Sequence, residues 1–364
     1  MTIDLNKKGL KVLITGGAGF IGGCLVRRFL DFHENVTIFN LDKLSYASDL
    51  EGINKFKNNE QYFLIKVDLN NSLDIRKAIK EIDPDIIFHL AAESHVDRSI
   101  DNPKIFVESN IIGTFNLLEA TREHWTNLKN SRKNEFRFLH ISTDEVFGSL
   151  GEIGSFNEKT AYDPRSPYSA SKAASDHLTN AWFHTYKLPI IKTNCSNNFG
   201  PYQFPEKFIP IIINKALNNS TIPIYGDGQN IRDWLYVEDH IDALILIAQE
   251  AEIGSSFCIG GNNEKSNFEV VNIICELLDR KISRESKYSD LISFVKDRPG
   301  HDKRYSINSE LLSKTLGWEP SHSFEEGINK TIEWYLANQK WCANILSKSG
   351  YSGERIGLEN NKRN

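Results

Sequence analysis

Lys11-Val12-Leu13-Ile14-Thr15-Gly16-Gly17-Ala18-Gly19-Phe20-Ile21-Gly22 joins a short apolar run to glycines spaced Gly-x-x-Gly-x-x-Gly. A run this short and rich in β-branched residues fits a strand buried on both faces. The glycines follow that run and open the amphipathic stretch 21–32, the context in which such a motif carries meaning. Missing side chains permit a tight turn, let backbone N–H groups approach a diphosphate at a helix N-terminus, and allow close helix–strand packing. Twenty residues past Gly22, Asp42 ends the next apolar run. A carboxylate there accepts hydrogen bonds from an adenosine ribose and repels a 2′-phosphate. Strand, glycines, helix and acid in this order point to a dinucleotide site, and to NAD over NADP.

Outward from this unit, apolar runs at 11–15, 35–41, 62–67, 86–90, 136–142 and 189–195 alternate with amphipathic stretches at 21–32, 73–82, 105–122 and 170–186. That alternation predicts an α/β fold, a Rossmann-like, doubly wound parallel sheet with crossover helices. Residues 1–195 form the expected NAD-binding domain. Beyond it Pro201, Pro205, Pro223 and Pro299 interrupt shorter helical stretches at 207–217 and 268–280. Residues 196–340 are expected to form a smaller, interleaved substrate domain, with 234–237 and 257–260 as candidates to return to the main sheet. Residues 341–364 are expected to be a polar tail.

Forty-three Lys and Arg against 48 Asp and Glu leave a net charge of −5. This offers no general attraction to nucleic acid or to an anionic membrane surface, so an anionic ligand must be held by local groups. With 40% hydrophobic and 25% charged residues, the composition is globular and excludes disordered and fibrous classes. The apolar stretch Phe208-Ile209-Pro210-Ile211-Ile212-Ile213 is far shorter than the roughly 18 residues of a membrane span. The first residues lack an apolar signal core, so the expected location is cytoplasmic. Five scattered cysteines (Cys24, Cys195, Cys258, Cys275 and Cys342) suit a reducing compartment and argue against zinc; no metal site is expected.

Open α/β sheets bind ligands at the C-terminal ends of their strands. There Asp68-Leu69 could meet an adenine, and Leu90-Ala91-Ala92-Glu93-Ser94 could line a cofactor cleft with small side chains; either could equally be an ordinary loop. Tyr168-Ser169-Ala170-Ser171-Lys172 sets Tyr and Lys four residues apart at a helix start, so both project from one face. His140-Ile141-Ser142-Thr143-Asp144-Glu145-Val146-Phe147-Gly148 closes a buried strand with a hydroxyl and two acids at the same sheet edge. For an anionic ligand, Arg232, Arg298 and Lys207 are the candidate cations, Arg being suited to bidentate phosphate contacts. Asn197 and Asn267 could bind a phosphate or a base or simply cap turns, and His301 has the same ambiguity.

Through the glycine motif, Asp42, Thr143 and Tyr168-x-x-x-Lys172, the chain resembles the extended short-chain dehydrogenase/reductase family. Further segments narrow the resemblance to the nucleotide-sugar 4,6-dehydratases within it, over residues 10–340. These are Ala92-Glu93-Ser94-His95-Val96-Asp97-Arg98-Ser99, Thr143-Asp144-Glu145, Asn194-Cys195-Ser196-Asn197-Asn198, Phe204-Pro205-Glu206-Lys207, Ile231-Arg232-Asp233-Trp234 and Asp297-Arg298-Pro299-Gly300-His301-Asp302. Phe147 and Phe199 depart from the pattern, which has Tyr at both positions, and put a neighbouring hydroxyl contact in doubt.

The resemblance implies that Tyr168 is a general base, that Lys172 lowers its pKa and holds the nicotinamide ribose, and that Thr143 steadies the reacting oxygen. It assigns Asp144 as acid and Glu145 as base in an elimination. It implies NAD contacts from Gly16, Gly19, Phe20, Ile21, Gly22, Asp42, Lys43, Ser45, Asp68, Leu69, Leu90, Ala91, Ala92, Ser94, Ser109 and Asn198, together with Tyr168 and Lys172. Substrate contacts fall on Ser94, Thr143, Asn197, Glu206, Lys207, Tyr225, Arg232, Asn267, Arg298 and His301. The expected activity is loss of water across C5 and C6 of a dTDP-linked glucose, by a homodimer pairing through 105–122 and 170–186. An epimerase or decarboxylase for another nucleotide sugar is the main rival, and Asp144 with Glu145 weighs against it. A catalytically silent NAD-sensing protein is a third reading, against which Tyr168 and Lys172 weigh.

Overall fold

Along β1 (Leu10–Thr15), Val12 and Ile14 pack into one apolar layer and Leu13 into the other, so the continuous apolar run is buried on both faces of a sheet. The computed structural model describes residues 2–5, 7–297, 300–349 and 351. After β1 come α1 (Phe20–Phe32), β2 (Val36–Asp42), β3 (Tyr62–Lys66), α2 (Ser72–Ile82), β4 (Ile86–His89), α3 (Val96–Asp101), α4 (Pro103–Phe106), α5 (Gly113–Asn127), α6 (Asn130–Glu135) and β5 (Arg137–Thr143). The chain continues with α7 (Pro167–Tyr186), β6 (Ile190–Cys195), β7 (Asn197–Phe199), α8 (Phe208–Leu217), β8 (Ile222–Tyr225), β9 (Ile231–Tyr236), α9 (Val237–Glu250) and β10 (Ser256–Ile259). It closes with β11 (Glu264–Ser266), α10 (Asn267–Lys281), β12 (Ile292–Val295), α11 (Glu310–Leu316), α12 (Phe324–Ala337) and α13 (Gln339–Ser349).

Seven strands form one parallel sheet in the order β10-β6-β5-β4-β1-β2-β3. The order reverses beside β1, and an open α/β sheet takes its ligand at such a switch point. Register then decides what meets there. Thr15 pairs with both Leu41 and His89, and Thr143 pairs with Cys195, so these strands end along one edge. Of the two stretches expected to rejoin this sheet, Ser256–Ile259 does so as β10. The stretch 234–237 does not. Its residues end β9, which lies between β7 and β11 in a separate three-stranded sheet, and start α9, whose apolar face covers the main sheet.

The second core gathers Phe199, Trp234, Val270, Ile274, Phe324, Ile328 and Tyr335 around the small sheets. It also takes in Trp341, Cys342 and Ile345 of α13, which corrects the reading of everything past 341 as a polar tail. Polar residues dominate that stretch by count, yet these three side chains fall on one helix face and are buried. Residues 352–364 lie outside the described residues. Among the described residues, no helix is long and apolar enough to cross a membrane.

Candidate active site

At the end of β1 the chain turns through Gly16, whose φ of +75° is a left-handed conformation that side chains resist. A Cβ on Gly16 would lie 2.7 Å from the Ala91 backbone, and one on Gly22 would lie 2.2 Å from the Gly16 carbonyl oxygen. Bare backbone on both sides is thus what lets α1 start directly beneath the loop. Helix α1 has no side-chain cap, which leaves its first-turn amides for an anion. Asp42, at the end of β2, is fixed from three sides. Its Oδ2 accepts from the Ala18 amide at 3.1 Å, and its Oδ1 accepts from the Leu44 amide at 2.8 Å and the Ser48 hydroxyl at 3.2 Å. Burial nonetheless raises its pKa above the ordinary value. Cradle and carboxylate fit the diphosphate and the ribose of NAD.

These groups open onto a cleft of about 320 Å³. All the cofactor candidates line it, from Gly16 through Lys43, Ser45, Asp68, Leu90, Ser94 and Ser109 to Asn198, as do the five catalytic candidates. Of the substrate candidates, Ser94, Thr143, Asn197, Glu206 and Lys207 line it, whereas Tyr225, Arg232, Asn267 and His301 do not. Arg298 lies outside the described residues. Tyr46, Ser48 and Gln203 line the cleft without having been singled out, and Cys195, Ser196 and Phe204, quoted as part of longer segments, line it as well. Tyr46 and Ser48 continue the run after Asp42, so following that loop three residues past Ser45 would have found both.

Helix α7 carries the Tyr–Lys pair. Ser166 caps it through a reciprocal bond pattern with Ser169, and Pro167 fills its first position, which fixes where Tyr168 leaves the helix. Tyr168, Lys172, Ser175, Asp176 and Thr179 form its buried face. Lys172 Nζ donates to the Ile141 carbonyl at 2.9 Å, tying the helix to β5. Burial, then the charge of Glu145, push the Tyr168 phenol well above its usual pKa, and a bond with the Thr143 hydroxyl works against them.

Thr143 ends β5 and its hydroxyl also serves the next turn, donating to Asp144 Oδ1 at 3.2 Å and accepting from the Glu145 amide at 3.3 Å. Asp144 is buried, and its Oδ2 has no hydrogen-bond partner. Burial, with the nearby charges of Glu145 and Asp233, holds its carboxyl well above the carboxylate range, against the pull of Arg232. A protonated acid beside a second carboxyl is the arrangement that general acid and general base roles require.

Lys207 Nζ donates to the Ser94 carbonyl at 2.9 Å, and Glu206 accepts from the Tyr46 hydroxyl at 2.7 Å and from Arg98 at 2.9 and 3.0 Å. The other candidates form a group beyond the cleft. Arg232 is buried over the Tyr305 ring and donates to the Ile231 and Asp302 carbonyls. His301 pairs with Asp297 at 2.7 Å and sits edge-on to Tyr225, while Asn267 is the first residue of α10. Phe147 packs against Phe156 and Tyr162, and Phe199 against Trp234 and Tyr236, both buried and neither lining the cleft. All five cysteines are free and buried, and no cluster of metal-ligating side chains exists among the described residues.

A doubly wound parallel sheet with this glycine cradle, Asp42 and the Tyr–Lys pair at its switch point defines an NAD-dependent enzyme of the extended short-chain dehydrogenase/reductase class. Within that class, the model of a family described as GDP-mannose 4,6 dehydratase matches residues 13–331, and the chain belongs to this family of nucleotide-sugar 4,6-dehydratases. It is 51% identical over 349 residues to a probable dTDP-glucose 4,6-dehydratase of Sinorhizobium fredii, covering 96% of this chain and 99% of the relative. It is 50% identical over 347 residues to the dTDP-glucose 4,6-dehydratase of Salmonella typhimurium, covering 93% and 96% of the two chains. Its fold matches a crystal structure of dTDP-glucose 4,6-dehydratase from Bacillus anthracis in complex with NAD, with a TM-score of 0.83, 40% identity, and coverage of 93% and 100%.

Proposed function

We propose that the chain catalyses NAD-dependent conversion of dTDP-glucose to dTDP-4-keto-6-deoxyglucose. The observation that carries this reading is the buried, raised carboxyl of Asp144 beside Glu145 in the same cleft as Tyr168 and Lys172. The named activity of the Sinorhizobium and Salmonella relatives supports it.

The C5 proton of a hexose is scarcely acidic and hydroxide leaves poorly, so direct loss of water is slow. A ketone at C4 removes the first difficulty by stabilising carbanion character at C5. What bound NAD supplies is reversible hydride acceptance, from C4 and back to C6, together with a positive ring charge that favours a phenolate. Tyr168 takes the C4 hydroxyl proton, with Thr143 holding the oxygen. Glu145 removes the C5 proton, and protonated Asp144 donates to the departing C6 hydroxyl. Lys207 and Asn197 face the diphosphate arm, with Arg232 and His301 beyond them. In this reading residues 1–195 hold the cofactor and much of 196–340 holds the nucleotide sugar, in the cytoplasm.

The protein works as a homodimer in this reading. Val107, Ile112 and Phe115, from the helical stretch that runs through α4 and α5, and Tyr186 on α7 are exposed apolar side chains on the two helices expected to pair.

The test is a substrate panel. Incubation with dTDP-, UDP- and CDP-glucose should give the alkali-induced absorbance of a 4-keto-6-deoxy sugar, foremost with the dTDP substrate. Absence of that product from all three would overturn the reading.

A further inference from the structure

One buried carboxylate is held by more groups than any packing need explains. Asp176 lies one helical turn past Lys172 on α7, is fully buried, and does not line the cleft. Its Oδ1 accepts from His140 Nε2 at 2.9 Å. Its Oδ2 accepts from the Tyr162 hydroxyl at 2.7 Å and from Asn194 Nδ2 at 3.1 Å. The same Asn194 amide donates to the Thr143 carbonyl at 3.1 Å, and Lys192 Nζ donates to the Tyr162 hydroxyl at 2.8 Å. Ser175 closes the group, bonding both His140 and the Lys172 carbonyl. A buried ion is costly unless it is paired, and here β5, β6, the 162 loop and α7 all contribute to keeping one.

We propose that Asp176 is a positioning residue for the reaction: its carboxylate keeps the buried Lys172 in the charged form, and through Asn194 it pins the strand end that carries Thr143. The surrounding groups leave Asp176 to do this. On β4 and β5, burial pushes His89 well below its usual pKa and His140 down to about 4, so both are neutral. On β6, burial pushes Cys195 up to about 12, leaving a thiol, and the ammonium of Lys192 is engaged with Tyr162. Asp144 and Glu145 lie past the end of β5, and Tyr168 is one turn back on α7. Burial lowers Lys172 below its usual pKa, and the charge of Asp176 is the foremost effect opposing it and limiting the fall. Asp176 stays ionised because the His140 bond and the charges around it outweigh burial and hold it down to about 2.

This inference rests on the dehydratase reading, and the parent enzyme's turnover of dTDP-glucose tests that reading separately. The measurement is the pH dependence of C4 oxidation, followed in single turnovers by the absorbance of reduced nicotinamide. Loss of the Lys172 ammonium sets its alkaline limb. In Asp176→Asn that limb should move down by about one pH unit or more, with kcat at neutral pH about tenfold lower and KM within about threefold of the parent. Asp176→Glu keeps the charge and should return the limb to the parental position, and it carries the test if Asp176→Asn does not fold. Tyr162→Phe removes a donor without removing the charge and should also leave the limb in place. A parental limb in Asp176→Asn, or a limb displaced in Asp176→Glu, would overturn the inference while leaving the activity intact.

Discussion

The Thr143 hydroxyl donates to Asp144 Oδ1 at 3.2 Å, so the hydroxyl proposed to steady C4 chemistry is bonded to the carboxyl proposed to protonate the C6 leaving group. In the proposed reaction, oxidation and elimination therefore share one turn of chain, from the last residue of β5 to Glu145. That sharing lets a single cleft run both half-reactions without moving the sugar, and mutation should separate them.

Asp144→Asn should still oxidise C4 and exchange the C5 proton with solvent, yet lose water poorly. A loss of roughly 10²–10⁴-fold in elimination is expected for a positioned acid. Rapid-quench analysis with deuterium exchange checks it, and parental elimination would contradict the role.

Glu145→Gln should reduce bound NAD at close to the parental rate but exchange the C5 proton roughly 10²–10⁴-fold more slowly. Tyr168→Phe should abolish both, since no hydride leaves C4 without the base. Stopped-flow absorbance with NMR of the recovered sugar distinguishes the two outcomes.

Gly22→Ala places a Cβ against the Gly16 carbonyl, a backbone atom that cannot rotate away. The start of α1 must shift, and NAD retained through purification should fall at least about tenfold. Nucleotide released on denaturing the pure protein gives the number, and full occupancy would contradict the cradle assignment.

Phe115→Glu sets a charge in place of an exposed apolar side chain beside the Trp182 ring, which Phe115 meets edge-on. Light scattering at micromolar concentration should change from twice the mass of one chain to the mass of one. A dimer that persists would place the interface elsewhere.

Trp341→Ala should destabilise the second core by about 3–5 kcal/mol, as expected for a large aromatic removed from a packed site. The ring packs against Tyr202, Trp334 and Tyr335, and its Nε1 donates to Asp49 at 3.0 Å. Denaturant unfolding measures the change. A loss under about 1 kcal/mol would mean that α13 is dispensable.

The inner strands of the main sheet were legible because burial on both faces leaves an unbroken apolar run, whereas edge strand β3 keeps its run with Phe63 and Leu64 exposed; the glycines mark a crossing where backbone must meet backbone. Helices α12 and α13 were harder to see. Their apolar residues are widely spaced among charges, and only the packing of Trp341 onto Trp334 and Tyr335 makes a face of them. The stretch 234–237 reads as a buried strand either way, since local pattern does not say which sheet a strand joins. The cofactor half of the cleft follows from local motifs. On the other side, Asn197, Glu206 and Lys207 line the cleft while Arg232 and His301 fall beyond it, a division that depends on tertiary contacts that spacing does not encode.

The most direct test of the dehydratase account is the fate of a deuterium placed at C4 of dTDP-glucose. If Tyr168 starts an oxidation that Glu145 and Asp144 carry through to elimination, the product loses one water and carries that deuterium at C6, as read by mass spectrometry and NMR. A sugar recovered with no loss of water, with C4 inverted and the deuterium back at C4, would contradict the account and make the chain an epimerase.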